Sequence, residues 1–133
     1  MRTIRLAAVL ALAVTLGSVL PVSTSTATVL EPLVVGWERI FKLQWEVGDR
    51  RGTPVVSGYL VNDSPYRVTA VRLLIDALDG SGTVVAQKIG WANAGTMEPF
   101  TRASFELPLP PVPAATYRLR VFAFDRVESD MMR

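Results

Sequence analysis

The sequence predicts an all-β fold, an antiparallel β-sandwich of six to seven strands that follows an N-terminal helix. Three observations lead to this prediction. Apolar and polar residues alternate with a period of two in several segments, which is the pattern of half-buried strands. Turns rich in Gly, Pro, Asn and Asp separate those segments. Beyond the first 27 residues, no segment has a strong helical pattern.

The first 27 residues have the composition of a secretory signal peptide. Arg2 and Arg5 precede an uncharged apolar run at 6–20, which is shorter than the roughly 20 residues of a membrane-spanning helix. The small residues Ser25 and Ala27 predict cleavage after Ala27. We therefore expect an extracytoplasmic protein, periplasmic or secreted, that meets the membrane only transiently through its signal peptide. An uncleaved signal that remains as an anchor is the alternative.

The remaining chain divides into an extended lead-in at 28–36, a sandwich domain at 37–126 and a flexible tail at 127–133. The lead-in also fits a first edge strand, which would be the seventh. A helix competes for the segment at 67–78, but its β-branched content and the glycine-rich turn after it favour a strand. The alternation predicts six strands, which lie at 41–47, 55–62, 67–78, 83–91, 100–107 and 117–124.

Composition excludes most catalytic chemistry. The chain contains neither histidine nor cysteine. A Ser-His-Asp triad, a Cys-His pair, a disulfide and a His- or Cys-based metal site are therefore all excluded. Carboxylates remain, but the spacing of Asp76, Asp79, Glu98 and Glu106 enforces no acid and base pair. We expect no enzymatic activity, cofactor or metal.

The charge balance gives no sign of a nucleic-acid partner. The precursor has 14 basic and 12 acidic residues and a pI of about 9.4. Arg2 and Arg5 account for the whole excess, and both lie in the predicted signal peptide. The mature chain is therefore neutral overall, whereas nucleic-acid binding requires a clustered basic patch.

Three features of the middle of the chain point to a known type of domain. They are the strand end with Gly58 and Asn62, the hairpin at 79–82, and the F-x-L sequence of Phe105 and Leu107. With them, the segment at 55–124 resembles the small bacterial immunoglobulin-like domains of the FxLYD type. Pro108 follows, so the tyrosine and aspartate of the family name are missing. The resemblance implies an immunoglobulin-like antiparallel β-sandwich that serves as an interaction or spacer module and has no catalytic residues.

Two predicted strands carry arginines beside apolar residues on the faces that alternate away from the core. Such a combination is typical of protein interfaces. If the strands share a sheet, we expect an interaction face for an unidentified protein of the cell envelope. Its residues would be Arg72, Leu74, Arg118, Arg120, Phe122 and Phe124. The alternative is that the lead-in or a neighbouring loop covers this face.

Exposed aromatic residues give a second functional hypothesis, a carbohydrate-binding module. Trp37 and Trp91 are the candidates for stacking on a sugar, together with Tyr59. Trp45 alternates with the core positions of its strand, so we expect it to pack inside. Ordinary turn chemistry accounts for the sequon at 62–64 and for the acidic turn at Asp79, without a glycan or calcium.

Overall fold

The computed structural model describes residues 28–128. The predicted signal helix and the last five residues of the predicted tail lie outside this range. The described chain is all-β, as predicted, and has a short 3-10 helix at Trp37–Arg39. The six strands are β1 (Phe41–Arg50), β2 (Thr53–Asn62), β3 (Val68–Leu78), β4 (Val84–Met97), β5 (Arg102–Pro108) and β6 (Thr116–Arg126).

The strands form two antiparallel sheets of three strands each. Sheet A has the order β1-β2-β5, and sheet B has the order β4-β3-β6. Hairpins join β1 to β2 and β3 to β4, whereas the chain passes from one sheet to the other after β2, β4 and β5. The central strand of sheet B, β3, buries the most side chains, seven of its eleven residues.

One hydrophobic core lies between the inner faces of the sheets. Burial of apolar side chains is the main stabilising term, at about 25 cal/mol per Å² removed from water. The largest fully buried side chains of the cluster are Phe41, Leu60, Leu73 and Ile75. Within residues 28–128, the chain forms no helix of the length and apolar character that a bilayer crossing requires.

The β1–β2 hairpin is tighter than the sequence predicts. Arg50 pairs with Thr53, so only Arg51 and Gly52 form the turn. Both have positive φ angles, 54° and 86°, as a two-residue type I′ turn requires. Residues expected in a loop at 48–54 therefore extend both strands.

Strand β4 is longer than predicted because its end pairs with the beginning of β3. Thr69 pairs with Thr96, and Val68 pairs with Met97, inside a segment that we expected to be a loop. At register shifts around Ala70, whose φ angle is 57°, β4 contains more residues than the segment of β3 with which it pairs. Bulges of this kind leave no period-two signal, so the alternation ends before the strand does.

The second half of β1 lies outside the core, which corrects the prediction for Trp45. Phe41 is buried, but every residue from Gln44 to Arg50 is exposed. Trp45 is 37% exposed and Val47 is 47% exposed, although both alternate with Phe41. The alternation identifies the inward face correctly, but β1 extends past the part of the sandwich that is packed.

Gly58 allows β1 and β2 to approach closely at the centre of sheet A. A Cβ atom at this position would overlap the carbonyl oxygen of Gln44 and lie 2.7 Å from the Cα atom of Trp45. We expect Gly58→Ala to lower the free energy of unfolding by about 1–3 kcal/mol, because backbone atoms must move to admit the methyl group. Urea denaturation measures the change.

Gly48→Ala is the matched control, because a Cβ atom on Gly48 meets no atom within 4 Å. Its effect should stay within about 0.5 kcal/mol. Equal losses in the two variants would contradict the close approach at Gly58.

Candidate functional site

The lead-in crosses the outer face of sheet B. The amide N–H of Leu30 donates to Oε1 of Gln87 at 2.8 Å, and Nε2 of Gln87 donates back to the carbonyl of Leu30 at 3.0 Å. Further along, the N–H of Leu33 donates to the carbonyl of Phe122 at 2.8 Å. Because Gln87 lies on β4 and Phe122 on β6, the segment spans the sheet from one edge strand to the other.

Two residues of the predicted interaction face are buried. Leu74 is fully buried and Phe122 is 8% exposed. Together with Ala123 they form a small apolar cluster separate from the main core. The structure thus places these side chains within the molecule, on the face that the lead-in crosses.

Phe124 lies on the opposite face from the one that simple alternation predicts. It packs against the main core, with its ring perpendicular to that of Phe41 and the ring centres 4.9 Å apart. The cause is a bulge in β6. Val121 pairs with Leu73, whereas Ala123 pairs with Arg72, so Phe122 is an additional residue that reverses the alternation after it.

Arg118 and Arg120 bind a buried carboxylate within the sheet. Asp76 is completely buried. It accepts hydrogen bonds from Nε of Arg118 at 2.8 Å, Nη2 of Arg120 at 2.7 Å and Nε2 of Gln87 at 2.8 Å. Arg120 also donates to Glu31 of the lead-in at 2.8 Å. These arginines therefore hold the outer layer together, and their charges are already paired.

The carboxylates of Glu31 and Asp76 favour the charged form of Arg120. Burial alone lowers its pKa, but the hydrogen bond to Glu31 and the charge and hydrogen bond of Asp76 more than compensate, so the pKa lies above its ordinary value. Arg120 therefore stays protonated over the whole range of ordinary conditions.

Arg72 lies between two aromatic rings on the same face. Its guanidinium carbon is 5.4 Å from the ring centre of Trp91 and 5.8 Å from that of Phe122, within cation–π range. Among the described residues, its buried Nε atom has no hydrogen-bond partner. A buried donor without an acceptor is costly, and the cation–π contacts of the guanidinium offset part of that cost.

Exposed apolar side chains lie near Arg72. Trp91 is 54% exposed and Ile89, two residues earlier on β4, is 37% exposed. Leu33, which is bonded to the backbone of Phe122, is 66% exposed. We call this region the sheet B surface, defined by Leu33, Arg72, Ile89 and Trp91. Its apolar lead-in residue is visible in the sequence, but the placement of that residue on a sheet is not.

The residues predicted to stack on a sugar do not form one site. Trp37 belongs to the 3-10 helix and is partly buried against the main core. Trp91 lies on sheet B beside Arg72, and Tyr59 lies on the central strand of sheet A. A single platform of these three aromatic side chains is therefore absent.

Asp79 forms a turn. Its Oδ1 accepts hydrogen bonds from the N–H groups of Ser81 and Thr83, both at 2.9 Å, and from the Ser81 hydroxyl at 2.8 Å. The bonds from Thr83 and Ser81 lower the pKa of Asp79 below its ordinary value. Within 28–128, no group of three acidic, histidine or cysteine side chains is placed to hold a metal.

The sequon asparagine is also a structural residue. Asn62 is buried, and its Nδ2 donates to the carbonyls of Tyr66 at 2.7 Å and Glu98 at 3.1 Å. The nitrogen that a glycan would modify is thus engaged inside the folded domain.

The carboxylates considered in the sequence have separate structural partners. Glu98 pairs with Arg67 at 3.2 Å, and Glu106 pairs with Arg50 at 2.5 Å. Asp76 is buried under the lead-in on the other sheet. These four carboxylates therefore do not converge on one cleft.

The fold and the sheet B surface together define a protein of two antiparallel three-stranded sheets with an exposed apolar and arginine-containing face. No family model, curated protein or solved structure compared with the chain matches it. The resemblance to FxLYD domains stays a prediction.

Proposed function

We propose that this chain is an exported, non-enzymatic immunoglobulin-like module that binds a protein partner or forms a structural element of the cell envelope. The observation that carries the proposal is the sheet B surface. Its most exposed members are Leu33 at 66% and Trp91 at 54%. Exposed apolar residues grouped in one region are typical of protein interaction sites.

The immunoglobulin-like class is supported by the strand pairing. β2 pairs with β5 in sheet A, and β3 pairs with β6 in sheet B. These correspond to the B–E and C–F pairs of immunoglobulin-like sandwiches. Such folds serve many functions, so the functional part of the proposal depends on the surface rather than on the fold.

The residue types on the sheet B surface favour a protein as the ligand. Tryptophan and arginine are enriched among the residues that contribute most to protein binding. Arg72 adds a positive charge beside Trp91, so the partner is expected to present a carboxylate or carbonyl beside its apolar side chains. The tryptophans do not favour a sugar here, because Trp37 is partly buried against the main core and only Trp91 lies on this surface.

Export belongs to the same proposal. It is supported by the two arginines, the uncharged apolar run and the small residues before position 28. Cell fractionation tests this part. A chain found in the periplasm or the medium, shortened by about 27 residues, is the expected result.

Site-specific photocrosslinking in the producing cell tests the interaction. A photoreactive residue at position 33 is expected to give an adduct of one defined mass. Position 100 is the matched control, because Phe100 is exposed to the same extent as Leu33, at 66%, but lies in the β4–β5 connection. Adding Trp91→Ser should lower the adduct yield about tenfold, as the loss of one strong contact does. No adduct at position 33, or equal adducts at both positions, would contradict the proposal.

A further inference from the structure

A groove lies on the outer face of sheet A, on the other side of the molecule from the sheet B surface. Its volume is about 600 Å³. Its floor is formed by Ser57 and Gly58 on the central strand, where the side chains are small or absent. Longer polar residues on β1 and β5 form its two sides. The volume falls within the range of about 300–1,000 Å³ that small-molecule sites occupy.

The strand register brings the polar side chains of the groove into two rows. Tyr59 lies between Gln44 and Ser104, and in the next row Ser57 lies between Glu46 and Glu106. These six residues share one face, because their neighbours in sequence alternate toward the core. The close approach of β1 at Gly58 fixes the spacing of the first two strands.

Both ends of the groove are held by arginines. The Arg102 guanidinium lies 4.1 Å from the ring centre of Tyr59, within cation–π range, and Arg102 does not line the groove. At the other end, Nη2 of Arg50 is 2.5 Å from Oε1 of Glu106. Fixing side chains before a ligand arrives reduces the entropy lost on binding.

The chemistry of the lining matches a saccharide. Gln44, Ser57 and Ser104 can each donate and accept hydrogen bonds, whereas the carboxylates accept only. Tyr59, which is 39% exposed, adds an aromatic side chain that can pack against the C–H face of a sugar ring. A sugar ring carries hydroxyl groups around its edge and has an apolar C–H face. One sugar can therefore form hydrogen bonds with the polar side chains and pack against Tyr59.

The charge of the groove selects against anions. Glu106 is balanced by Arg50, whereas Glu46 and Arg102 form no ion pair with any residue in 28–128, and of these two only Glu46 lines the groove. An anionic ligand would meet this uncompensated charge at close range. We propose that the groove on sheet A binds a neutral saccharide through Tyr59, Gln44 and Glu46. This site is separate from the sheet B surface, so either proposal can fail without the other.

Titration of the full chain with neutral trisaccharides tests the proposal. The probes are maltotriose, cellotriose, mannotriose and chitotriose, each raised to about 10 mM, which detects millimolar dissociation constants. Backbone amide shifts in NMR spectra report the position of binding. At least one probe should shift the amides of Ser57, Gly58 and Ser104. Trigalacturonate, the anionic probe, should not shift the signals of these amides.

Tyr59→Ala should weaken the binding of the active probe about tenfold or more, since it removes the aromatic contact. Tyr66→Ala is the matched control. Tyr66 is 44% exposed and is also stacked by an arginine, Arg126, at 4.1 Å, but it lies outside the groove. Its variant should bind within about twofold of the natural chain.

Three outcomes would overturn the inference. They are no shift with any of the four neutral probes, equal weakening in the two tyrosine variants, and shifts confined to sheet B. Trigalacturonate binding as tight as that of a neutral probe would refute the charge argument and, with it, the assignment of Glu46. Well-dispersed amide spectra of both variants show that a loss of binding does not come from unfolding.

Discussion

Replacing Asp76 with alanine is expected to lower the free energy of unfolding by about 3–5 kcal/mol, because it leaves two arginines without their shared buried carboxylate. Asp76 is fully buried and bonded to both Arg118 and Arg120 at 2.7–2.8 Å. Small domains have a total stability of only about 5–15 kcal/mol, so this change removes a large part of it. Urea denaturation at neutral pH measures the loss.

Glu31→Ala is the control for the Asp76 prediction. It also removes a carboxylate partner of Arg120, but the side chain of Glu31 is 65% exposed. An exposed pair contributes about 0–1 kcal/mol, so a small change is expected. If both variants lost the same stability, burial of Asp76 would not be the source of its effect. Asp76→Asn keeps the shape of the side chain and should fall between the two.

Asn62→Ala is expected to lower the free energy of unfolding by about 2–4 kcal/mol. The side-chain amide joins two loops, because it donates to the carbonyls of Tyr66 and Glu98 and accepts from the Ser64 hydroxyl at 2.7 Å. Each buried polar group left without a partner costs about 1–3 kcal/mol, and water recovers part of that cost. Thermal and urea denaturation measure the change.

Asn93→Ala provides the comparison for Asn62. The Asn93 side chain accepts one longer hydrogen bond, 3.3 Å from the N–H of Gly95, at an exposed position. Its loss should change stability by no more than about 0.5 kcal/mol. A loss at position 62 as small as at position 93 would show that the buried amide does not tie the loops together.

The all-β class and the approximate location of every strand could be predicted from alternation and turn residues. Val71, Leu73 and Ile75 alternate in the sequence and are buried in the structure. The type I′ turn explains why the prediction placed a longer loop around Arg51. Left-handed backbone at an arginine is uncommon, so its sequence gives little warning of such a tight turn.

The face of a residue beyond a bulge could not be predicted. Phe124 was expected to point outward, because alternation was counted without the additional residue Phe122. Bulges are determined by pairing with a neighbouring strand, which no single strand encodes. The same limit applies to the groove. Gln44, Ser57 and Glu106 are unremarkable in sequence and become a site only once the register of three strands is known.

The partners of Asp76 depend on register as well. Asp76 is an ordinary polar residue on the outward positions of its strand, and only pairing places Arg118 opposite it and Gln87 on the other side. Sequence reasoning identified both arginines as candidates for binding another protein. The structure places them around an internal carboxylate instead.

The attachment of the lead-in to sheet B determines how the chain responds to tension. A pull on the chain ahead of residue 28 is resisted first by the paired hydrogen bonds between Leu30 and Gln87, and then by the ion pair of Glu31 with Arg120. The first strand begins only at Phe41, so the lead-in can peel from sheet B before any strand pairing breaks. Tension along the chain would therefore detach the lead-in, including the hydrogen bond from Leu33 to Phe122, while the two sheets remain intact.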